Sequence, residues 1–204
     1  SVGYDTATAL DAFDGQIPSA IDIWNSRVVL GVPHANNGYG LVQLVDNQNG
    51  TWNLEAELTE QSVSLPNMFG FSVSQSGDLL AVGSPGSNGS GEVHVYDETD
   101  KGYVKLATIP AAANGDIAFG YSVDMYQGDP DIAYLVIGSP GVSLASGQPT
   151  SSGHCYIYRA FSTDFSQWEQ IFSRTSIESP SLLGIDVALD EMDGGLVMAV
   201  GEPS

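Results

Sequence analysis

The sequence predicts an all-β fold: a β-propeller of four-stranded antiparallel blades, present as about three whole blades with part blades at both ends. Three observations carry this expectation. A motif recurs with a period near fifty residues, as when Phe69-Gly70 is followed by Phe119-Gly120, and such a period marks units stacked or arranged in a ring. Each copy leads from a short polar turn into an apolar run that ends in Gly-x-Pro. The same order of short β-type runs, separated by Gly, Asn, Asp and Ser turns, then follows in each unit, which is the pattern of a meander. A repeated meander is a propeller blade.

The clearest first runs are Phe69 to Val73 and Phe119 to Val123, each expected to be an inner strand. Leu183-Gly184-Ile185-Asp186-Val187 and the worn Ser19-Ala20-Ile21-Asp22-Ile23 occupy the same place in the last and first units. Glycine after the aromatic residue permits close approach of neighbouring blades or unusual dihedrals. The second runs, such as Leu79 to Val82 and Leu135 to Ile137, show little alternation, as expected of strands covered on both faces. Pro33, Pro85, Pro140 and Pro203 should end them, because proline cannot donate a ladder hydrogen bond.

Third runs open on a glycine and alternate: Gly40 to Leu44, Gly91 to Tyr96 and Gly153 to Tyr158. Their tyrosines, Tyr96, Tyr156 and Tyr158, are expected to cover blade faces with the hydroxyl near water. Fourth, outer runs begin with an aromatic residue: Trp52 to Leu58, Tyr103 to Ile109 and Trp168 to Phe172. The opening Tyr4 to Leu10 parallels Tyr103 to Ile109, so residues 1–15 read as the outer strand of a preceding blade. Blades then occupy 16–65, 66–116 and 117–180, and 181–204 is the first half of a further one, all within one domain. The chain is thus expected to be part of a longer protein; a small four-bladed ring in which Tyr4 to Leu10 completes the last blade is the alternative.

These motifs resemble the FG-GAP repeat family, whose best-known members form the N-terminal β-propeller of integrin α chains. The resemblance rests on Phe69-Gly70 with Gly83-Ser84-Pro85 and on Phe119-Gly120 with Gly138-Ser139-Pro140. Ser19-Ala20 and Leu183-Gly184 depart from it, so packing should be least regular at those two copies. It implies a non-catalytic extracellular or cell-surface module for adhesion or for binding a protein or glycan partner. A structural subunit of an extracellular filament, hair, wall or matrix assembly is the alternative, and a secreted hydrolase comes third.

Composition fits that setting. Five basic against twenty-five acidic residues leave a net charge of −20, which disfavours nucleic acid and anionic lipid as partners. No apolar run approaches the roughly 20 residues that span a bilayer. Asn49-Gly50-Thr51 and Asn88-Gly89-Ser90 are N-glycosylation sequons in expected turns, so Asn49 and Asn88 are candidate glycan sites. Cys155 is the single cysteine; it reads as a small buried strand residue, with a bridge to another part of the protein or another subunit as the alternative.

The resemblance also implies calcium in the turn between first and second strands, where roughly 6 to 8 oxygens are needed. That turn offers Ser76 and Asp78 in the second unit, Asp124, Asp129 and Asp131 in the third, and Asp190, Glu191 and Asp193 in the fourth. None has the alternating spacing of a calcium loop, so these acids read as solvated turn residues. The expectation is no cofactor, with the metal question left open. No nucleophile elbow, zinc-binding helix motif or phosphate loop is present. His34, His94 and His154 lie in different units, the last two on related strands, and read as structural. The longest loop, Gly141 to Ser152, is the candidate contact surface, against a plain solvated loop.

Overall fold

A computed structural model of the chain describes residues 17–48, 51–60, 66–112, 116–161 and 165–203. The expected strand Tyr4 to Leu10 and the sequon residue Asn49 lie outside them. Four strands form the first sheet, in chain order and all antiparallel: β1 (Ala20–Trp24), β2 (Arg27–Val32), β3 (Leu41–Gln48) and β4 (Thr51–Leu58). The second sheet repeats this order with β5 (Ser72–Ser76), β6 (Leu79–Ser84), β7 (Glu92–Thr99) and β8 (Gly102–Pro110). The third does so with β9 (Ser122–Asp129), β10 (Ile132–Ser139), β11 (His154–Phe161) and β12 (Glu169–Thr175). A hairpin of β13 (Val187–Met192) and β14 (Gly195–Val200) follows. Only a four-residue helix, α1 (Ala35–Gly38), and a 3-10 turn at Ser87–Gly89 interrupt this all-β pattern among the described residues.

Registers align the units residue by residue. Gly31, Gly83 and Gly138 of the second strands pair with Ala20, Ser72 and Ser122 of the first and with Val42, Val93 and Cys155 of the third. The second strands β6 and β10 are covered on both faces, with Leu79, Leu80, Ala81 and Val82 and then Leu135, Val136 and Ile137 all at most 1 % exposed. Strands β2, β6 and β10 end on the residue before Pro33, Pro85 and Pro140, whereas β14 stops at Val200, three residues before Pro203.

The two largest apolar clusters lie between sheets. One cluster joins Val29, Val42 and Leu44 of the first sheet to Phe69, Val73, Leu80, Val82 and Tyr96 of the second unit. Another joins Leu79, Ala81, Val93, Val95 and Ile109 to Phe119, Val123, Met125, Leu135, Ile137, Tyr156 and Tyr158. Val136 continues the series into Val187 and Leu189 of the hairpin. Burying one such side chain contributes about 1.5–3 kcal/mol, and each does so only when the next sheet is in place.

Two expectations change. The first strands start three residues later than Phe69 and Phe119, because Gly70 and Gly120 hold the left-handed φ of +83° and break the strand there. Phe69 and Phe119 instead form single parallel bridges to Gly40 and Gly91 of the preceding sheet and are fully buried. The tyrosines sit deeper than expected. Tyr96, Tyr156 and Tyr158 are at most 6 % exposed, since the neighbouring sheet covers the face they occupy, and Tyr156 donates its hydroxyl to Asp116 Oδ1 at 2.7 Å.

Candidate functional site

The seam between sheets collects most of the motif residues. A Cβ on Gly31, Gly83 or Gly138 would stand 2.0, 2.1 or 2.0 Å from the carbonyl oxygen of Gly70, Gly120 or Gly184 in the next unit. A Cβ on Gly40, Gly91 or Gly153 would meet the carbonyl oxygen of Phe69, Phe119 or Leu183 at 2.0, 2.1 or 2.3 Å. Backbone packs on backbone here, which no side chain allows. The contact is fixed by hydrogen bonds from Ser72 Oγ to Gly120 O at 2.8 Å and from Ser122 Oγ to Gly184 O at 2.9 Å.

A second seam runs between first strands. Asp22, Ser74 and Asp124 occupy equivalent places in β1, β5 and β9, and each accepts an amide from the next first strand: Gln75 N at 2.6 Å, Met125 N at 3.0 Å and Leu189 N at 2.7 Å. Ser74 Oγ also donates to Asp124 Oδ1 at 2.9 Å, and Met125 N donates to the same oxygen at 3.0 Å. Burial raises the Asp124 pKa, and the bonds from Leu189, Ser74 and Met125 oppose that rise. An acid read from sequence as a turn residue is a clamp between sheets.

The other acids are dispersed. Asp129 Oδ1 accepts from Asp131 N at 2.8 Å within its own turn, about 16 Å along β9 from Asp124 at the usual strand rise. Glu191 accepts the Tyr126 hydroxyl at 2.7 Å and Asp190 the Glu191 amide at 2.8 Å. Ser76 Oγ accepts Gln127 N at 2.9 Å, another link between sheets. These donor sets serve protein amides and hydroxyls, and Asp124 stands apart from Asp129 and Asp131 along β9.

His34 is exposed ahead of α1, and His94 and His154 lie on β7 and β11. They are not equivalent: His94 takes the place that Tyr156 holds in the third sheet, while His154 matches Glu92. His94 packs on Phe69 with ring centroids 5.5 Å apart, as Tyr156 packs on Phe119 at 5.6 Å. Its Nδ1 lies 3.2 Å from Thr108 Oγ1 and 3.7 Å from Glu60 Oε2. Burial, then the nearby Lys105 charge, pushes the His94 pKa down to about 4 against the opposing pull of Glu60. The ring is therefore neutral at pH 7. Cys155 is fully buried, and burial raises its thiol pKa.

Ion pairs bolt the first two sheets together. Arg27 of β2 bonds Glu55 at 2.8 Å and Glu98 of β7 at 2.6 Å, with its guanidinium 5.7 Å from the Tyr103 ring centre. Lys105 Nζ of β8 reaches back to Glu60 Oε2 at 2.6 Å. Between the second and third sheets, in contrast, lies a cleft of about 410 Å³ whose walls include Thr108, Ala111, Tyr158, Ser166, Trp168 and Gln170. No motif flagged this cleft. Its sequence signal is visible only once register aligns Ala111 with Glu60 and Gln170 with Lys105.

Besides the outer strands, loops are exposed. The connections from second to third strand, at 33–40, 85–91 and 140–153, all leave the same end of their sheets. Asn88 sits exposed at the 3-10 turn, beside a Gly89 with open space around it. The loop Gly141 to Ser152 is tied at its base by the Val142–Pro149 bridge and by Thr150 N to Gly141 O at 2.8 Å, with residues 145–148 exposed at the tip.

Residues 52–96 match the FG-GAP repeat, a stretch that runs from β4 across the first seam to Tyr96 of β7. No curated protein matches the chain.

Proposed function

The chain carries an FG-GAP repeat, and on that premise we propose that its sheets are blades of a β-propeller serving as a non-catalytic binding or adhesion module outside the cell or at its surface. The observation that carries the reading is where the polar chemistry goes. Asp22, Ser74, Asp124, Glu60, Lys105, Arg27 and Tyr156 are each spent on joining elements of neighbouring units, and the rigid scaffold so formed presents a set of exposed loops at one end of its sheets. FG-GAP repeats typically mediate protein interactions and are typically extracellular. No helix among the described residues is long and apolar enough to cross a membrane.

Propeller geometry is supported by comparison of equivalent positions. Val73, Val123 and Val187 are each 8 % exposed beneath the preceding sheet, while their counterpart Ile21 is 61 % exposed; Gln75, Met125 and Leu189 are 3–6 % exposed, and their counterpart Ile23 is 65 % exposed. The first sheet thus presents a face of the kind that every later sheet has covered. The reading assigns no cofactor, takes Asn88 and Asn49 as N-glycan sites, and names a protein or glycan at the cell surface as the partner.

The test is attachment of the purified chain to cells and extracellular matrix, with residues 143–150 replaced by a Gly/Ser linker of equal length. Attachment that the replacement abolishes, with the far-UV spectrum unchanged, is the expected result. Equal attachment by both proteins, or none by either, overturns the reading. The open Ile21 and Ile23 face favours one second reading, a subunit of an extracellular assembly, which predicts defined oligomers in sedimentation before any partner is added.

A further inference from the structure

We propose that the cleft between the second and third sheets is a binding site for a neutral saccharide, which rests on the binding-module reading above and names its ligand class. The argument starts from the two junctions. At the first, Glu60 follows β4 and pairs at 2.6 Å with Lys105 of β8, an ion pair that spans the two outer strands. At the second, register puts Ala111 where Glu60 stands and Gln170 where Lys105 stands. A methyl group and an amide replace the bolt, and about 410 Å³ opens between them. That volume is within the range of small-molecule sites.

The lining selects the ligand. Trp168 contributes an indole whose N–H is already held by Phe165 O at 2.8 Å, so the ring is fixed as an apolar platform. Tyr158, whose hydroxyl pKa burial and then Asp116 push up to about 12, is neutral. Gln170 brings an amide that both donates and accepts, and the Thr108 hydroxyl, which also faces His94 Nδ1, retains further hydrogen-bonding capacity. No charged side chain lies among the described residues that line it, in a chain with twenty-five acids. Along these described residues an anion meets no cation, against a net charge of −20, and a cation meets no carboxylate. A pyranose fits: its C–H face stacks on an aromatic ring, and its hydroxyls bond uncharged donors and acceptors.

The experiment is a titration of the chain with neutral disaccharides of glucose, galactose, mannose and N-acetylglucosamine up to about 10 mM, the range suited to a cleft with few contacts. It is read by saturation-transfer NMR and tryptophan fluorescence. At least one sugar should saturate, and Trp168→Ala should weaken it roughly tenfold or more. Because Trp168 also packs on the core, the decisive variant is Ala111→Glu with Gln170→Lys, which installs the bolt of the first junction; it should abolish binding with a melting temperature at or above that of the parent. No saturation by any of these sugars, or undiminished binding by the bolted variant, overturns the assignment. If no sugar saturates while the parent still attaches to cells and matrix through residues 143–150, the binding-module reading stands while the saccharide site falls.

Discussion

Replacing Gly83 by alanine tests the packing of backbone on backbone that holds the sheets together. The added Cβ would lie 2.1 Å from Gly120 O and 2.2 Å from Ser72 Oγ, where ordinary contact starts near 3.4 Å. The second and third sheets must part by about 1.3 Å, and overpacking of that kind costs roughly 1–3 kcal/mol. Separation also breaks the bond from Ser72 Oγ to Gly120 O at 2.8 Å, worth about 1 kcal/mol. The expected loss is about 2–4 kcal/mol, which lowers the melting temperature of a chain this size by roughly 5–15 °C. Gly195→Ala is the control, since its Cβ would meet only Met192 O at 3.7 Å and its φ is not positive. Alanine there should be neutral or stabilise by up to about 1 kcal/mol through the unfolded state. Urea denaturation of both variants and the parent gives the numbers, and a Gly83→Ala midpoint within about 0.5 kcal/mol of Gly195→Ala would refute the reasoning.

Acid should weaken the fold through His94. Its pKa falls from 6.5 to about 4 on folding, so the unfolded chain binds the proton first, and stability present above pH 6.5 drains away as pH drops toward 4, by about 3 kcal/mol in all. His94→Gln, which adopts the residue of Gln43 at the same place in the first sheet, should flatten that part of the stability profile between pH 7 and 4.5; an unchanged difference between parent and variant across that range contradicts it. Asp124→Ala strips the acceptor from Leu189 N and leaves Met125 N only Ser74 Oγ, and should cost about 1–3 kcal/mol, with hydrogen exchange accelerated most at Leu189. Unaltered protection of the Leu189 amide would show that Asp124 does not hold the first strands together.

Much of the architecture was legible in the chain itself. The repeat spacing, the apolar second runs, the Gly-x-Pro stops and the aromatic outer runs determine antiparallel four-stranded units, because strand period, proline geometry and turn chemistry are local properties. The glycines of Phe-Gly also announced close approach, though not to what. Only the tertiary structure decided that the Phe-Gly glycine of one unit meets the Gly-x-Pro glycine of the unit before it, and that Phe69 and Phe119 stand outside the strands as plugs.

Local reading failed where a residue's role depends on the neighbouring sheet. Asp124 has the sequence surroundings of a turn acid, yet its partners Ser74 and Leu189 lie fifty and sixty-five residues away. Tyr156 alternates like a half-exposed strand residue, yet the next surface buries it with Asp116. The Trp168 cleft was invisible because it arises from an absence, an ion pair present at one junction and missing at the next. Sequence thus determined each unit, since backbone propensity acts over a few residues, whereas seams, clamps and cleft were decided by packing, which acts through space between surfaces a whole repeat apart.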